Sequence, residues 1–374
     1  MSTVGDIIRS FETWAPAATA ESWDNVGLQL GDPQNGVKRA LVALDLTPTV
    51  AAEAIEIGVD LVITHHPVIF RPIRSVRADD LVGSLLLRLA RANIALYSAH
   101  TNLDSARGGV SFALAEQLGL RDLAFLAPDD GKSVKLVTFV PEGHVETVYR
   151  ALCEVGAGAI GGYTECAFLT HGTGRFRVPE DGDPMTGSPG SRETTDEVRL
   201  EMEVQRSRLA TAVAALRSSH PYEEVAFDVM GLENQSMQSG MGVVGNLEAP
   251  LSLADFLQHV AERLLSPGIR YSGIEDKPVF RVAACGGSGS GLTGRALAVG
   301  ADAFVTGDIS YHRHFEPLMP DGTAALALVD AGHYETERPA EEAIIRRMSA
   351  EHSDVAFVRT RSRTTPVRHF ATRP

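Results

Sequence analysis

Short, wholly apolar runs, each ending in a polar group, recur along the chain and set its first reading. Ala40 to Leu44 and Asp60 to Thr64 read as buried strands, and so does Ile94 to Ser98. Between them lie helical stretches. An amphipathic helix is expected from Val4 to Thr13, followed by a loop over Glu21 to Leu28 in which Asn25 and Gly27 are turn formers. Thr47 before Pro48 has the form of an N-cap with proline at the first helical position, so Thr49 to Ile57 is helical and closes on Gly58. Asp80 to Arg91 is a further helix. Strands alternating with helices predict an α/β layered fold with largely parallel pairing.

The plan returns near the C-terminus. Phe280 to Cys285 reads as a strand, Gly286 to Gly291 as a glycine-rich turn, and Leu292 to Val299 as a helix. Gly300-Ala-Asp-Ala-Phe-Val-Thr306 then matches Gly58-Val-Asp-Leu-Val-Ile-Thr64 position by position in character, and the strand Ala325 to Val329 leads to His333-Tyr-Glu-Thr-Glu337. This mirrors the strand before His100-Thr-Asn-Leu-Asp104, so both halves end a strand in His-x-x-x-carboxylate. The middle differs. Val134 to Val140, Tyr163 to Thr170, Glu197 to Gln205 and Val225 to Val229 read as strands, and Val145 to Val155 and Leu209 to Arg217 as helices. That order, β-α-β-β-α-β, is the ferredoxin-like pattern, with Pro179 to Thr195 as a flexible loop. The expectation is two similar, intertwined α/β halves forming a bilobed core, residues 1–130 and 235–374, interrupted by an inserted domain at 131–234.

Composition narrows the function. With 34 basic and 48 acidic residues the formal charge is −14, which argues against nucleic-acid backbones and anionic membranes as partners. A small nucleotide stays compatible, because a metal ion can supply local positive charge. Cys153, Cys166 and Cys285 are too few and too scattered for a disulfide framework or a thiolate zinc site. The N-terminus has no secretory pattern, and no run approaches the roughly 18 apolar residues of a membrane span. A cytoplasmic protein is expected.

The candidate chemistry gathers at strand ends, where α/β sheets bind ligands. Neighbouring strand residues face opposite ways, so His65 and His66 suit two different metal ions, or one ligand and one supporting group. Asp104, His333 and Glu337 complete a mixed nitrogen and oxygen set fit for Zn, Fe, Mn or Co. His100 and His312 are candidates for proton transfer or for orienting ligands. Asp24 and Asn25 suit either substrate contact or turn capping, and Asp308 either a supporting carboxylate or a turn. Gly286 to Gly291 lacks the dinucleotide and Walker spacings, which leaves a phosphate cradle or a tight structural turn.

Five phrases together resemble the GTP cyclohydrolase 1 type 2 homologue family, the NIF-three-like proteins. They are Trp23-Asp-Asn-Val-Gly-Leu-Gln-Leu-Gly31, Ile63-Thr-His-His-Pro67, His100-Thr-Asn-Leu-Asp104, Thr306-Gly-Asp-Ile-Ser-Tyr-His312 and Gly332-His-Tyr-Glu-Thr-Glu337. The resemblance implies two divalent metal ions per chain, His66 and Asp104 holding one, His65 and His333 the other, and Glu337 bridging. It also implies a toroidal homohexamer and an insert similar to PII or CutA proteins, with Gly172-Thr-Gly-Arg-Phe and His220-Pro-Tyr-Glu-Glu phrases like those of longer members. His312-Arg-His-Phe315 departs from the smaller, more acidic residues usual there. A two-metal site can polarise a substrate oxygen and generate hydroxide at neutral pH. The function expected is therefore a metal-dependent hydrolase of a nucleotide or related compound, GTP ring opening included. The alternative is a non-catalytic metal-binding or regulatory protein whose insert senses a ligand or docks a partner.

Overall fold

The computed structural model describes residues 1–131, 133–178, 180, 188–273 and 277–370. The chain divides into two compact units, Met1–Ala127 with Ser239–Pro374, and Pro128–Gln238. It is a mixed α/β fold built on several sheets. No helix among the described residues is long and apolar enough to cross a membrane.

The first unit holds a five-stranded sheet in the order Gly27–Leu30, Ala95–Ser98, Leu61–Thr64, Arg39–Ala43, Ala356–Arg359. All neighbours pair in parallel except Gly27–Leu30, which runs antiparallel to Ala95–Ser98. The central strands are mostly apolar because both faces are covered. Ala40, Val42, Leu61, Ile63 and Tyr97 pack with Ile7, Phe11, Ile344 and Met348. Leu41, Ala43, Val62 and Leu96 pack the other way, against Val50, Ala54, Leu85 and Leu89.

A six-stranded sheet follows the same scheme: Arg270–Ser272, Ala327–Asp330, Ala303–Thr306, Pro278–Ala284, Gln235–Ser252, Arg121–Asp130. Its first four strands repeat the order and directions of the first four in the other sheet, with one antiparallel edge strand on three parallel ones. The halves exchange helices. Leu114 and Ala115, on helix Val110–Gln117, pack in the core of the second sheet, while Ile344 and Met348, on helix Pro339–Glu351, pack in the first.

In the unit Pro128–Gln238 an antiparallel sheet has the order Ala167–Arg177, Arg192–Gln205, Ser133–Pro141, Phe227–Gly231. Helices Val145–Glu154 and Leu209–Ser219 supply Val148, Leu152, Ala212 and Leu216 to its core.

Several local expectations change. The loop expected over Glu21 to Leu28 ends at Val26, because Gly27–Leu30 is a strand stabilised by pairing with Ala95–Ser98. The strand expected over Tyr163 to Thr170 begins at Ala167 and runs to Arg177, opposite Arg192. The loop expected over Pro179 to Thr195 ends sooner, since a strand begins at Arg192, and residues 179 and 181–187 lie outside the described set. The long strand Gln235–Ser252 and strand Arg121–Asp130 had no counterpart in the sequence reading.

Helix Pro48–Ile57 follows the strand that leads to Asp45, and its ends match the sequence signals. The Thr47 side chain accepts from Val50 N at 3.2 Å, and Gly58 closes the helix at φ 64°. Replacing Thr47 by Ala removes this cap and lowers stability by about 1 kcal/mol. A urea titration checks this: the midpoint falls while the slope holds, and an unchanged midpoint contradicts it.

Candidate metal centre

Two strand ends of the first sheet and one helix beyond the second meet in a single cluster, buried at His65 and Glu337 and partly exposed at His66, His100 and His333. His65 and His66 follow strand Leu61–Thr64, their backbone N–H groups donating to Ala43 O and Leu44 O at 3.2 and 2.9 Å. Thr64 steadies the turn, its hydroxyl donating to His66 O at 2.9 Å. His100 caps the short helix Thr101–Asp104, and His333 opens the helix His333–Glu337. One helical turn brings residues four apart onto one face, so His333 Nε2 lies 3.1 Å from Glu337 Oε1.

Every imidazole is oriented from behind. His65 Nδ1 donates to Ala99 O at 2.8 Å, His66 Nδ1 to Asp45 Oδ1 at 2.8 Å, His100 Nδ1 to Asp24 Oδ1 at 2.9 Å and His333 Nδ1 to Asp308 Oδ2 at 2.7 Å. Carbonyls and carboxylates only accept, so each Nδ1 carries a proton and each Nε2 is left for the interior. The rings crowd together, with centroids 4.9 Å apart for His65 and His66, 5.1 Å for His65 and His100, and 5.5 Å for His66 and His333.

The interior lacks partners that a cation would provide. Among the described residues, His65 Nε2 and Glu337 Oε2 are buried with no hydrogen bond. His65 Nε2 stands 3.6 Å from Asp104 Oδ1 and 3.7 Å from Glu337 Oε1, and His66 Nε2 stands 3.2 Å from Glu337 Oε2 without the alignment of a hydrogen bond. Each unsatisfied buried group costs about 1–3 kcal/mol, so two orphans at one point mark a site that fits a divalent cation. His65, His66 and His100 form one group of closely spaced donor atoms, and His66, His333 and Glu337 another. His66 belongs to both groups, its ring centroid 4.9 Å from that of His65, 5.3 Å from that of His100 and 5.5 Å from that of His333.

Charge follows the same geometry. Burial opposes a proton on His66, but the Asp45 hydrogen bond and Glu337 outweigh it and push the group up to about 10. The Glu337 hydrogen bond raises His333 to about 9, against its burial and with help from Asp308. Burial would raise Glu337, yet the surrounding imidazoles hold it well below the usual carboxylate range. Burial pushes Asp104 up, with His65 pulling the other way. His100 is lowered, first by burial and then by the His65 charge. Cys285 is pushed up to about 12 by burial and by the Asp104 and Glu337 charges, so in the ion-free protein it is a neutral thiol.

The glycine-rich turn serves this cluster as a wall. Gly287 has φ +61°, and a Cβ there would lie 2.2 Å from Glu337 Oε1; one at Gly307 would lie 2.7 Å from His333 N. Asp308 itself takes a left-handed conformation, φ 53°, as it reaches His333. Asp45 was missed in the sequence, although it ends a strand as His65 does. His312 is not brought in: it is exposed on the turn Tyr311–Phe315.

In the cation-free protein at pH 7.5, His66 and His333 are protonated, and their ion pairs stabilise the fold fully below the unfolded value near 6.5 and fade as pH rises through about 9–10. A cation needs the unprotonated Nε2 atoms, so its uptake releases protons and its apparent affinity rises from pH 6 to 8. Calorimetry in two buffers of different ionisation enthalpy measures the release. A buffer-independent heat contradicts this charge assignment.

Comparison with known proteins identifies the family. The family model Duf34/NIF3 (NGG1p interacting factor 3) matches residues 2–366. A Halalkalibacterium halodurans protein named GTP cyclohydrolase 1 type 2 homolog is 40% identical over 328 residues, 87% of each chain. A Bacillus subtilis protein of the same name is 39% identical over 352 residues, 94% of this chain and 93% of that one. The crystal structure of a Bacillus cereus protein related to NIF3 superimposes with a TM-score of 0.84 at 36% identity, covering 98% of this chain and 99% of that one. With its cluster of strand-end histidines, the chain belongs to the Duf34/NIF3 family.

Proposed function

We propose that His65, His66, Asp104, His333 and Glu337 hold two divalent metal ions, and that the protein is a metal-dependent hydrolase of a nucleotide or related compound. The observation that carries this reading is the convergence of three imidazoles, His65, His66 and His333, each locked through Nδ1, on the buried Glu337 carboxylate with its orphaned oxygen. Ions bound there supply Lewis acidity toward a substrate oxygen. The chain's own groups do the rest. Asp45 and Asp308 keep the His66 and His333 rings in one tautomer and orientation. His100, held by Asp24 and lowered in pKa first by burial, has its Nε2 available to take up a proton at neutral pH. His312, outside the cluster, has no part in this scheme.

Three wider features belong to the same reading. The strand order and helix placement in Pro128–Gln238 support a ferredoxin-like, PII- or CutA-like insert. The homohexamer rests on the family resemblance, and a cytoplasmic location on the few, scattered cysteines.

The test is metal analysis followed by assay of the metal-loaded protein on GTP, other nucleotides and phosphoesters. Wild type turns over one of them, Glu337→Gln loses both metal and turnover, and Asp308→Asn loses about 10–100-fold in metal affinity or activity. Tight metal binding with no turnover across the panel replaces this reading with the non-catalytic, regulatory one.

A further inference from the structure

Beside the imidazole cluster stand two large aromatic side chains that the fold leaves in solvent. Trp23 is 58% exposed and Phe70 44%. Their ring centroids are 5.8 Å apart at 62°, and both rings meet His100 edge-on, Trp23 at 6.0 Å and Phe70 at 6.4 Å. His100 in turn lies 5.1 and 5.3 Å from His65 and His66. The aromatic pair is thus one ring away from the candidate metal ligands.

The pair is held in place and not merely exposed. Trp23 precedes Asp24, whose carboxylate accepts from His100 Nδ1 at 2.9 Å and Thr101 N at 3.1 Å. Phe70 follows Ile69, whose carbonyl accepts from Asn25 Nδ2 at 2.5 Å and whose N–H donates to Gln29 Oε1 at 3.0 Å. Gln29 Nε2 donates back to Asn25 O at 2.9 Å. These bonds tie the two loops together, yet neither ring joins a hydrophobic core cluster. Rigid aromatic faces kept in water beside a polar centre are the arrangement that stacks planar ring systems. The local charge selects among them. In a chain of net charge −14, Arg71 follows Phe70 directly and Arg74 comes three residues later, and among the described residues neither has an ion pair, while Arg77 pairs with Asp79.

We propose that Trp23 and Phe70 form a stacking wall for the base of a nucleotide, so that the substrate of the metal centre is an anion carrying a planar heteroaromatic ring. This rests on the hydrolase reading for its chemistry but not for its binding, and the experiment separates the two. Binding of GTP and of tripolyphosphate, which has the phosphates without the base, is measured on the metal-loaded full-length protein. Wild type binds GTP more tightly than tripolyphosphate. Trp23→Ala weakens GTP about 10-fold or more and leaves tripolyphosphate within about two-fold. Phe70→Ala changes both in the same direction to a smaller degree, and Trp23→Phe restores GTP affinity. Metal content, read on each variant, stays at the wild-type level. Equal affinity of wild type for the two probes, an equal loss for both in Trp23→Ala, or no GTP binding at all overturns the wall. Base-dependent binding without turnover supports the wall and removes the hydrolase reading. Turnover of a nucleotide that Trp23→Ala leaves unchanged does the reverse.

Discussion

A buried carboxylate must be paired, and Glu337 is the group around which this core is arranged. It is 3% exposed, and among the described residues no lysine or arginine pairs with it. An isolated carboxylate taken out of water is so costly that it normally gives up its charge. Here the imidazoles of His65, His66 and His333 keep it ionised, and the backbone makes room for it. A side chain at Gly287 would occupy its place, and Thr336, its neighbour, anchors the glycine-rich turn by accepting from Gly287 N at 3.1 Å.

That constraint spreads outward through the repeated architecture. One three-stranded parallel core contributes His65, His66, His100 and Asp104, and its counterpart contributes Asp308, His333 and Glu337. The group His66, His333 and Glu337 draws its donors from both halves. The supporting groups extend the order further, since Asp45 also accepts from Thr364 at 2.5 Å, which draws the segment after the last strand of the first sheet into the orientation of His66. The aromatic pair at Trp23 and Phe70 is positioned by the same logic, because Asp24 fixes His100 and the residue beside it at once.

The parts of this arrangement that depend on local pattern were legible in the chain. Buried parallel strands are continuous apolar runs, the Thr47-Pro48 and Gly58 signals bound their helix, and the i, i+4 spacing of His333 and Glu337 gave their shared face. What depended on partners was not. Gly27–Leu30 is a strand only because Ala95–Ser98 pairs with it. Gln235–Ser252 carries Gly240, Gly242, Gly245 and Pro250, all of which read as breaks, and it is extended through pairing with Pro278–Ala284. The acceptor for His65 is the carbonyl of Ala99, which no side-chain motif encodes. Asp45 lies 21 residues from His66, and only the parallel register of the two strands brings them together. The glycine-rich turn kept two readings in the sequence, and the contact between Gly287 and Glu337 favours the structural one.

The central claim is that Glu337 and the imidazoles facing it form one binuclear cation site. Anomalous diffraction at the metal absorption edge, from crystals of the cation-loaded protein, tests it most directly. The account predicts two peaks per chain flanking the Glu337 carboxylate, each about 2.0–2.2 Å from histidine Nε2 or carboxylate oxygen atoms. A single peak, or peaks away from Glu337, would contradict it.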